Sequence, residues 1–206
     1  MQLGTVLKAA VVMVAAFFAI ESVRTHYAPS AGRTATLSAQ AALQVPAQGP
    51  TDKAAFAFKG FQIQPVARFA IDARVLSREE YYLGKEADLA PLDLALGWKR
   101  MADPAVLRQL DISQGRRWYF YRWQGEPPIP LQEIVESSAN MHLIAANASV
   151  EKTLRKARTG SLVRLTGHLV NVSDASGWRW TSSLTRADSG ANACELVFVE
   201  TAQVAD

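Results

Sequence analysis

Two histidines are the strongest candidates in this chain for acid–base chemistry near neutral pH. His142 and His168 both lie in its C-terminal part, where Asp93, Ser138 or Ser182 could supply a carboxylate or a hydroxyl beside them. A histidine held by a carboxylate can act as a general base on a hydroxyl nucleophile. Asp93, His142 and His168 together could instead ligate a metal ion. These three residues therefore form a candidate polar site.

The spacing of these residues matches no established motif. The sequence contains neither GxSxG nor HExxH, and its single cysteine, Cys194, excludes an intramolecular disulfide and a multi-cysteine metal site. We predict no catalytic residue, no metal and no cofactor. A hydrolase that uses His142 or His168 is kept as the alternative.

Aromatic residues in two stretches, residues 116–124 and the pair Trp178 and Trp180, favour binding over catalysis. Residues 116–124 (RRWYFYRWQ) are the strongest strand signal in the chain, because aromatic side chains suit a half-buried sheet surface. Alternation places every second residue of a strand on one face. An exposed face of this kind would bind a protein, a peptide or a glycan by ring burial and stacking. The candidate binding surface comprises Arg117, Tyr119, Tyr121, Trp123, Trp178 and Trp180.

Alternating arginines and aromatic rings are also typical of single-stranded nucleic-acid binding, so this is a further alternative for residues 116–123. A basic patch formed by Lys152, Arg155, Lys156 and Arg158 would support it. However, residues 1–60 hold five of the 22 basic residues and two of the 19 acidic ones, so the rest of the chain has no net formal charge. A domain without excess positive charge is not expected to hold a phosphate backbone.

The N terminus predicts a membrane anchor. Residues 9–20 (AAVVMVAAFFAI) are an uninterrupted apolar run that follows Lys8 and precedes Glu21 and Arg24. Extended back to Leu3, the segment would reach about 27 Å as a helix, close to the thickness of a bilayer core. We predict an uncleaved signal-anchor over residues 1–24 that crosses the membrane once through residues 3–20.

The anchor is followed by a segment with the composition of a linker. Residues 28–55 are rich in Ala, Pro, Gln, Ser and Thr and lack aromatic residues. The predicted organisation is an anchor at 1–24, a flexible, disordered linker at 25–57 and a folded domain at 58–203. A short N-terminal overhang favours a domain that faces the periplasm from a bacterial inner membrane.

The domain predicts an α+β fold that is mostly β. Short apolar runs separated by glycine-marked turns indicate five or six strands, with a bulge near Gly167. Asp103 followed by Pro104, and Asn147 before residues 149–158, predict two capped helices. The pattern favours a small twisted β-barrel of the OB type with two or three short helices. A split α+β sheet is the alternative.

Three segments carry a resemblance to a known family: residues 89–104 (LAPLDLALGWKRMADP), 138–147 (SANMHLIAAN) and 160–172 (GSLVRLTGHLVNV). In them the chain resembles an uncharacterised family of bacterial membrane-anchored proteins, over most of residues 61–200. The resemblance implies a bacterial source and an envelope location, and it assigns no activity or catalytic residue. The predicted function is a membrane-anchored extracytoplasmic binding domain.

Overall fold

The computed structural model describes residues 37–185 and 193–206. The predicted signal-anchor, residues 1–24, and the first part of the predicted linker lie outside these described residues. Within them, no helix combines the length and the apolar character that crossing a membrane requires.

The described part of the chain has an α+β fold that is mostly β, with ten strands and a few short helices. The strands are β1 (Ala47–Gly49), β2 (Phe56–Phe58), β3 (Phe61–Glu80), β4 (Leu92–Gly97), β5 (Asp111–Gly115), β6 (Trp118–Arg122), β7 (Ser138–Ala145), β8 (Leu162–Ser173), β9 (Arg179–Trp180) and β10 (Glu195–Ala205). The α-helices are α1 (Lys85–Leu89), α2 (Pro104–Leu107), α3 (Leu131–Glu136) and α4 (Ala148–Leu154), and two 3₁₀ turns are η1 (Ala41–Leu43) and η2 (Lys99–Ala102).

Eight of these strands form one sheet, and β5 and β6 form a separate hairpin. Strand β3 pairs antiparallel with β4, β4 pairs antiparallel with β7, and β7 pairs parallel with β10. Strand β10 then pairs antiparallel with β8, which pairs antiparallel with β3. Five strands are thus linked in a cycle of pairings, with helix α4 in the connection from β7 to β8.

The long strand β3 pairs with β8 over its first part and with β4 over its last part, and each of these two pairings contains an irregularity. The register shifts between Pro65 and Ala67 opposite β8, and between Val75 and Ser77 opposite β4. A proline cannot donate to a ladder, which is why Pro65 lies beside an irregular position. Next to Gly167, as the sequence predicts, the β8–β10 register also shifts, and Glu200 is the additional residue on β10.

Both helices predicted from their caps are present. Asp103 accepts a hydrogen bond from the Ala105 amide at 2.7 Å, with Pro104 at the start of α2. Asn147 accepts from the amides of Ser149 and Val150 at 3.0 and 3.1 Å at the start of α4. These side chains satisfy amides that would otherwise lack a partner in the first turn.

The apolar residues divide into three clusters. The largest lies on one face of the main sheet and includes Leu94, Leu143, Leu165 and Val197. A second cluster, around Leu196 and Phe198, lies on the opposite face. Since alternate residues of a strand point to opposite faces, the residues Asp93 and His142 share that second face with Leu196.

Two segments contribute side chains that pack on the second face. The first is the β5–β6 hairpin, residues 111–122, whose tyrosines join the third apolar cluster with Met101 and Ile134. The second, residues 47–58, is called the strap here and contains β1 and β2, which both pair with β3. Residues 47–57 of the strap lie within the segment for which composition predicts a linker, and Phe58 belongs to the predicted domain. Its apolar contacts come from Phe56 and Phe58, which pack against Phe198.

Candidate functional site

The tip of the hairpin is made of two arginines in a left-handed backbone conformation. Arg116 and Arg117 join β5 to β6 and have φ angles of 53° and 68°. Two-residue hairpin turns with positive φ at both positions are normally built from asparagine and glycine. Other residues lose about 1–2 kcal/mol each in this region. Compensating contacts are therefore expected at this tip.

Arg117 makes these contacts through its guanidinium group. Its Nη1 atom donates to Oδ1 of Asp93 at 2.7 Å and to the carbonyl oxygen of Ala90 at 2.8 Å. The guanidinium carbon lies 3.8 Å from the ring centroid of Tyr81 and 5.4 Å from that of Trp180. The backbone amide of Arg117 donates to the Tyr81 hydroxyl at 2.8 Å. Both the side chain and the backbone of Arg117 are thus attached to the sheet and its loops.

Asp93 is the centre of this arrangement and has no exposed surface. Besides Arg117, it contacts Nδ1 of His142 at 2.8 Å from Oδ2, and Nδ2 of Asn140 at 3.3 Å. The register explains the geometry, because Asp93 is paired with His142 across β4 and β7, and Asn140 precedes His142 by two residues on the same face. A buried carboxylate requires such partners, since its desolvation is costly.

Asn140 ties the same group to the hairpin backbone. Its Nδ2 atom donates to the carbonyl oxygen of Arg117 at 3.1 Å, and its Oδ1 atom accepts from Gln114 at 2.6 Å. The Cys194 thiol lies beside them, with Sγ 3.8 Å from the Arg117 carbonyl oxygen. The polar network therefore fixes the hairpin on the outer surface of strands β4 and β7.

Of the three residues of the candidate polar site, the structure brings two together. Asp93 and His142 are in contact, and the His142 ring packs against Trp180 with centroids 4.8 Å apart. The two serines considered as nucleophiles donate to backbone carbonyls, Ser138 to Ile134 at 2.7 Å and Ser182 to Ser183 at 2.8 Å.

His168 lies in a second cluster, under the strap. Its Nδ1 atom is 3.6 Å from Oε1 of Glu200, and Glu200 also forms an ion pair with Lys53. The Lys53 ammonium lies 5.1 and 5.5 Å from the ring centroids of Phe56 and Phe198. Burial lowers the pKa of His168; nearby Glu200 raises it, and Lys53 lowers it further.

Five of the six residues of the candidate binding surface fall into two places, and the sixth, Arg117, lies beside Trp180. Tyr119, Tyr121 and Trp123 are partly buried against the third apolar cluster, and Tyr119 lies 3.3 Å from Ser138 between their hydroxyl oxygens. Burial raises the pKa of Tyr119. Trp178 and Trp180, 6.1 Å apart, are partly buried against the second cluster.

The outward face of the hairpin carries two further aromatic rings. Trp118 is 41% exposed and Phe120 is 50% exposed, and both line a cleft of about 570 Å³ between the hairpin and the first residues of β7 and β10. Ser138, Asn140 and Glu195 also line this cleft. Alternation along residues 116–123 predicts two faces of this strand. Nothing in the local sequence indicates that the face with Trp118 and Phe120 is the exposed one.

Three site residues had no signal of their own in the sequence: Tyr81, Asn140 and Arg117 in its role as the partner of Asp93. Their functional grouping depends on the pairing of β4 with β7. No group of three or more His, Cys, Asp or Glu residues in the described ranges is placed to hold a metal ion. No protein-family model, curated protein or solved structure matches the chain.

Proposed function

We propose that the chain is a membrane-anchored extracytoplasmic binding module that receives its partner on the outward face of the hairpin. The observation that carries this proposal is the cleft beside Trp118 and Phe120, where two exposed rings stand next to amide, hydroxyl and carboxylate groups. Ligand sites commonly combine apolar walls with a few polar groups that fix orientation. The partner is a protein, a peptide or a glycan, all of which bury rings of this kind.

The cycle of strand pairings supports a small barrel of the OB type as the scaffold. In that architecture, a long first strand is shared between two neighbours and five strands close on one another. Strand β3 has this position here, since it pairs with both β4 and β8. Helix α4 lies in the chain between β7 and β8, which are the third and fourth of these five strands in sequence order. Asp93 and Asn140, on β4 and β7, hold the hairpin on this scaffold through their contacts with Arg117.

Charge favours this partner class over nucleic acid. Arg122, on the outward face, is paired with Asp111 at 3.0 Å, and Arg155, directly after α4, is paired with Glu151 at 2.8 Å. Paired arginines of this kind contribute little free positive charge to a phosphate backbone. In the proposed arrangement, residues 3–20 hold the protein in a bacterial inner membrane and the domain works in the periplasm.

Binding on the outward face can be tested by using the full-length protein in detergent micelles against a random peptide display library and a bacterial glycan array. We expect at least one class of specific ligand, and a loss of about tenfold or more in affinity for Trp118→Ala and Phe120→Ala, because central aromatic residues dominate interfaces. Leu131→Ala is the matched control, since Leu131 is 51% exposed and lies on α3. Absence of any ligand, or equal affinity of all three variants and the wild type, would contradict the proposal.

A further inference from the structure

The pocket that Arg117 fills contains a complete set of groups for recognising a guanidinium. A fully buried carboxylate, Asp93, and the Ala90 carbonyl oxygen accept hydrogen bonds, while Tyr81 and Trp180 present rings to the planar cation. A guanidinium is the side-chain cation that suits this combination, because it is planar, weakly hydrated and able to stack on rings.

The occupant of this pocket belongs to an element that is separate from the main sheet. In the described structure, β5 and β6 pair only with each other, so side-chain packing and the contacts of Arg117 attach the hairpin to the main sheet. Its base is held by Tyr119 and Tyr121, whereas its tip is held by the contacts of Arg117. Exchange of the occupant would thus require the contacts of Arg117 to break while those of Tyr119 and Tyr121 remain.

Backbone strain at the tip favours exchange of the occupant. Arg116 and Arg117 both have left-handed φ angles without being glycine, and such strain persists only where surrounding contacts enforce it. If the pocket received a guanidinium from another molecule, the tip would lose its contacts and could relax. The strain thus lowers the difference in stability between the self-filled and the exchanged state.

The position of the pocket agrees with a binding role. In OB-type barrels, ligands lie on the face of the second and third strands, between the loop after the first strand and the loop before the last. Asp93 and His142 are on these strands, Tyr81 is in the connection after the first strand, and Trp180 is on β9 within the connection before the last. This point alone rests on the proposed scaffold, whereas the chemistry of the pocket does not.

We propose that this pocket is a binding site for an arginine side chain of a partner protein or peptide, and that Arg117 occupies it as an internal competitor. Binding of the partner displaces the hairpin tip. The site is distinct from the cleft beside Trp118 and Phe120, because the groups that contact the guanidinium, namely Asp93, Ala90, Tyr81 and Trp180, do not line that cleft.

The test uses the full-length protein in detergent micelles and a short glycine-serine peptide with one central arginine, capped at both ends. Its counterpart with citrulline has the same shape and no charge. Arg117→Gly empties the pocket, and glycine tolerates the backbone conformation at this position. Arg116→Gly is the matched control. It relaxes the same turn, and because the Arg116 side chain is exposed and lies outside the pocket, Arg117 stays in place. Binding is followed by calorimetry and by hydrogen exchange at the tip amides.

We expect Arg117→Gly to bind the arginine peptide at least tenfold more tightly than the citrulline peptide, and addition of Asp93→Asn to abolish this preference. The wild type and Arg116→Gly should bind the same peptide roughly ten- to a hundredfold more weakly, since Arg117 competes, and the peptide should speed exchange at their tip amides. Phe120→Ala should leave this binding unchanged, which separates it from the proposed outward site.

Two results would overturn the proposal. One is a folded Arg117→Gly protein that does not distinguish arginine from citrulline. The other is binding to Arg117→Gly together with no binding and no faster tip exchange in the wild type, because Arg117 would then be a fixed structural contact. If Arg117→Gly is poorly folded, Arg117→Asn replaces it, and the arginine peptide should raise the melting temperature of either variant; no rise in both also overturns the proposal.

Discussion

Two segments pack on the same surface of the main sheet, and they are held there by different means. The hairpin is held by Asp93, which is fully buried and contacts Arg117, His142 and Asn140. The strap is held by two short strands, by ring contacts and by Glu200, whose side chain is 36% exposed and contacts Lys53 and His168. Both clusters join a histidine, a carboxylate and a cation. They differ in how much water reaches the carboxylate.

This difference decides what each cluster can do. Removing one partner from a buried ion pair leaves an uncompensated charge in a region of low polarity, so the remaining groups depend strongly on one another. An exposed pair exchanges its contacts with water at little cost. The hairpin cluster is therefore suited to holding or exchanging one defined cation, and the strap cluster is suited to responding to pH.

The largest expected effect is the loss of Asp93. Asp93→Ala leaves the Arg117 guanidinium and His142 without their carboxylate, and we expect a loss of about 3–5 kcal/mol in the free energy of unfolding. Glu200→Ala should cost about 0–1 kcal/mol, because its partners remain in contact with water. Urea unfolding of the three proteins checks this. Equal losses for the two variants would remove the distinction between the clusters.

The next effect compares neighbouring residues on the two faces of the hairpin. Tyr119→Ala removes a ring that is packed against the third apolar cluster, with an expected cost of about 2–3 kcal/mol. Phe120→Ala should change stability by less than about 0.5 kcal/mol, because half of its side chain is already exposed. Thermal melts of both variants provide the measurement. A larger loss for Phe120→Ala would mean that the outward face is a structural contact.

The sequence could predict features of the fold that depend on neighbouring residues. The caps at Asp103 and Asn147 are examples, because a capping side chain and the amides it satisfies lie within three residues. The aromatic strand was also predicted, over 116–124, and β6 occupies Trp118–Arg122. Local chemistry was sufficient in each case.

The candidate site could be predicted only in part, because its contacts are distant in sequence. The turn at Arg116 and Arg117 contains neither glycine nor asparagine, so its residues indicated a continuing strand. The turn is held by Asp93, and Asp93 meets His142 through the register of β4 and β7. The pairing of distant strands sets this register, and no local pattern carries it.

A smaller effect isolates the backbone cost of the tip. Arg116→Gly should raise the free energy of unfolding by about 1 kcal/mol, because glycine adopts the left-handed conformation without the penalty that arginine has there. The Arg116 side chain is exposed, so little else is lost. Urea unfolding checks the sign. A decrease in stability would show that Arg116 has a stabilising contact of its own, and the strain assigned to the tip would have to be revised.

The smallest effect concerns pH and the strap. Since burial lowers the pKa of His168 in the folded state, the unfolded chain takes up this proton first as the pH falls below the ordinary histidine value of about 6.5. The contribution of His168 is therefore complete above that value, and it is lost as the pH falls from there through the lower pKa of the folded state. We expect a loss of less than about 1 kcal/mol, partly offset by Glu200. His168→Gln should flatten this part of the stability curve, and an unchanged slope in that variant would assign the pH response to another group.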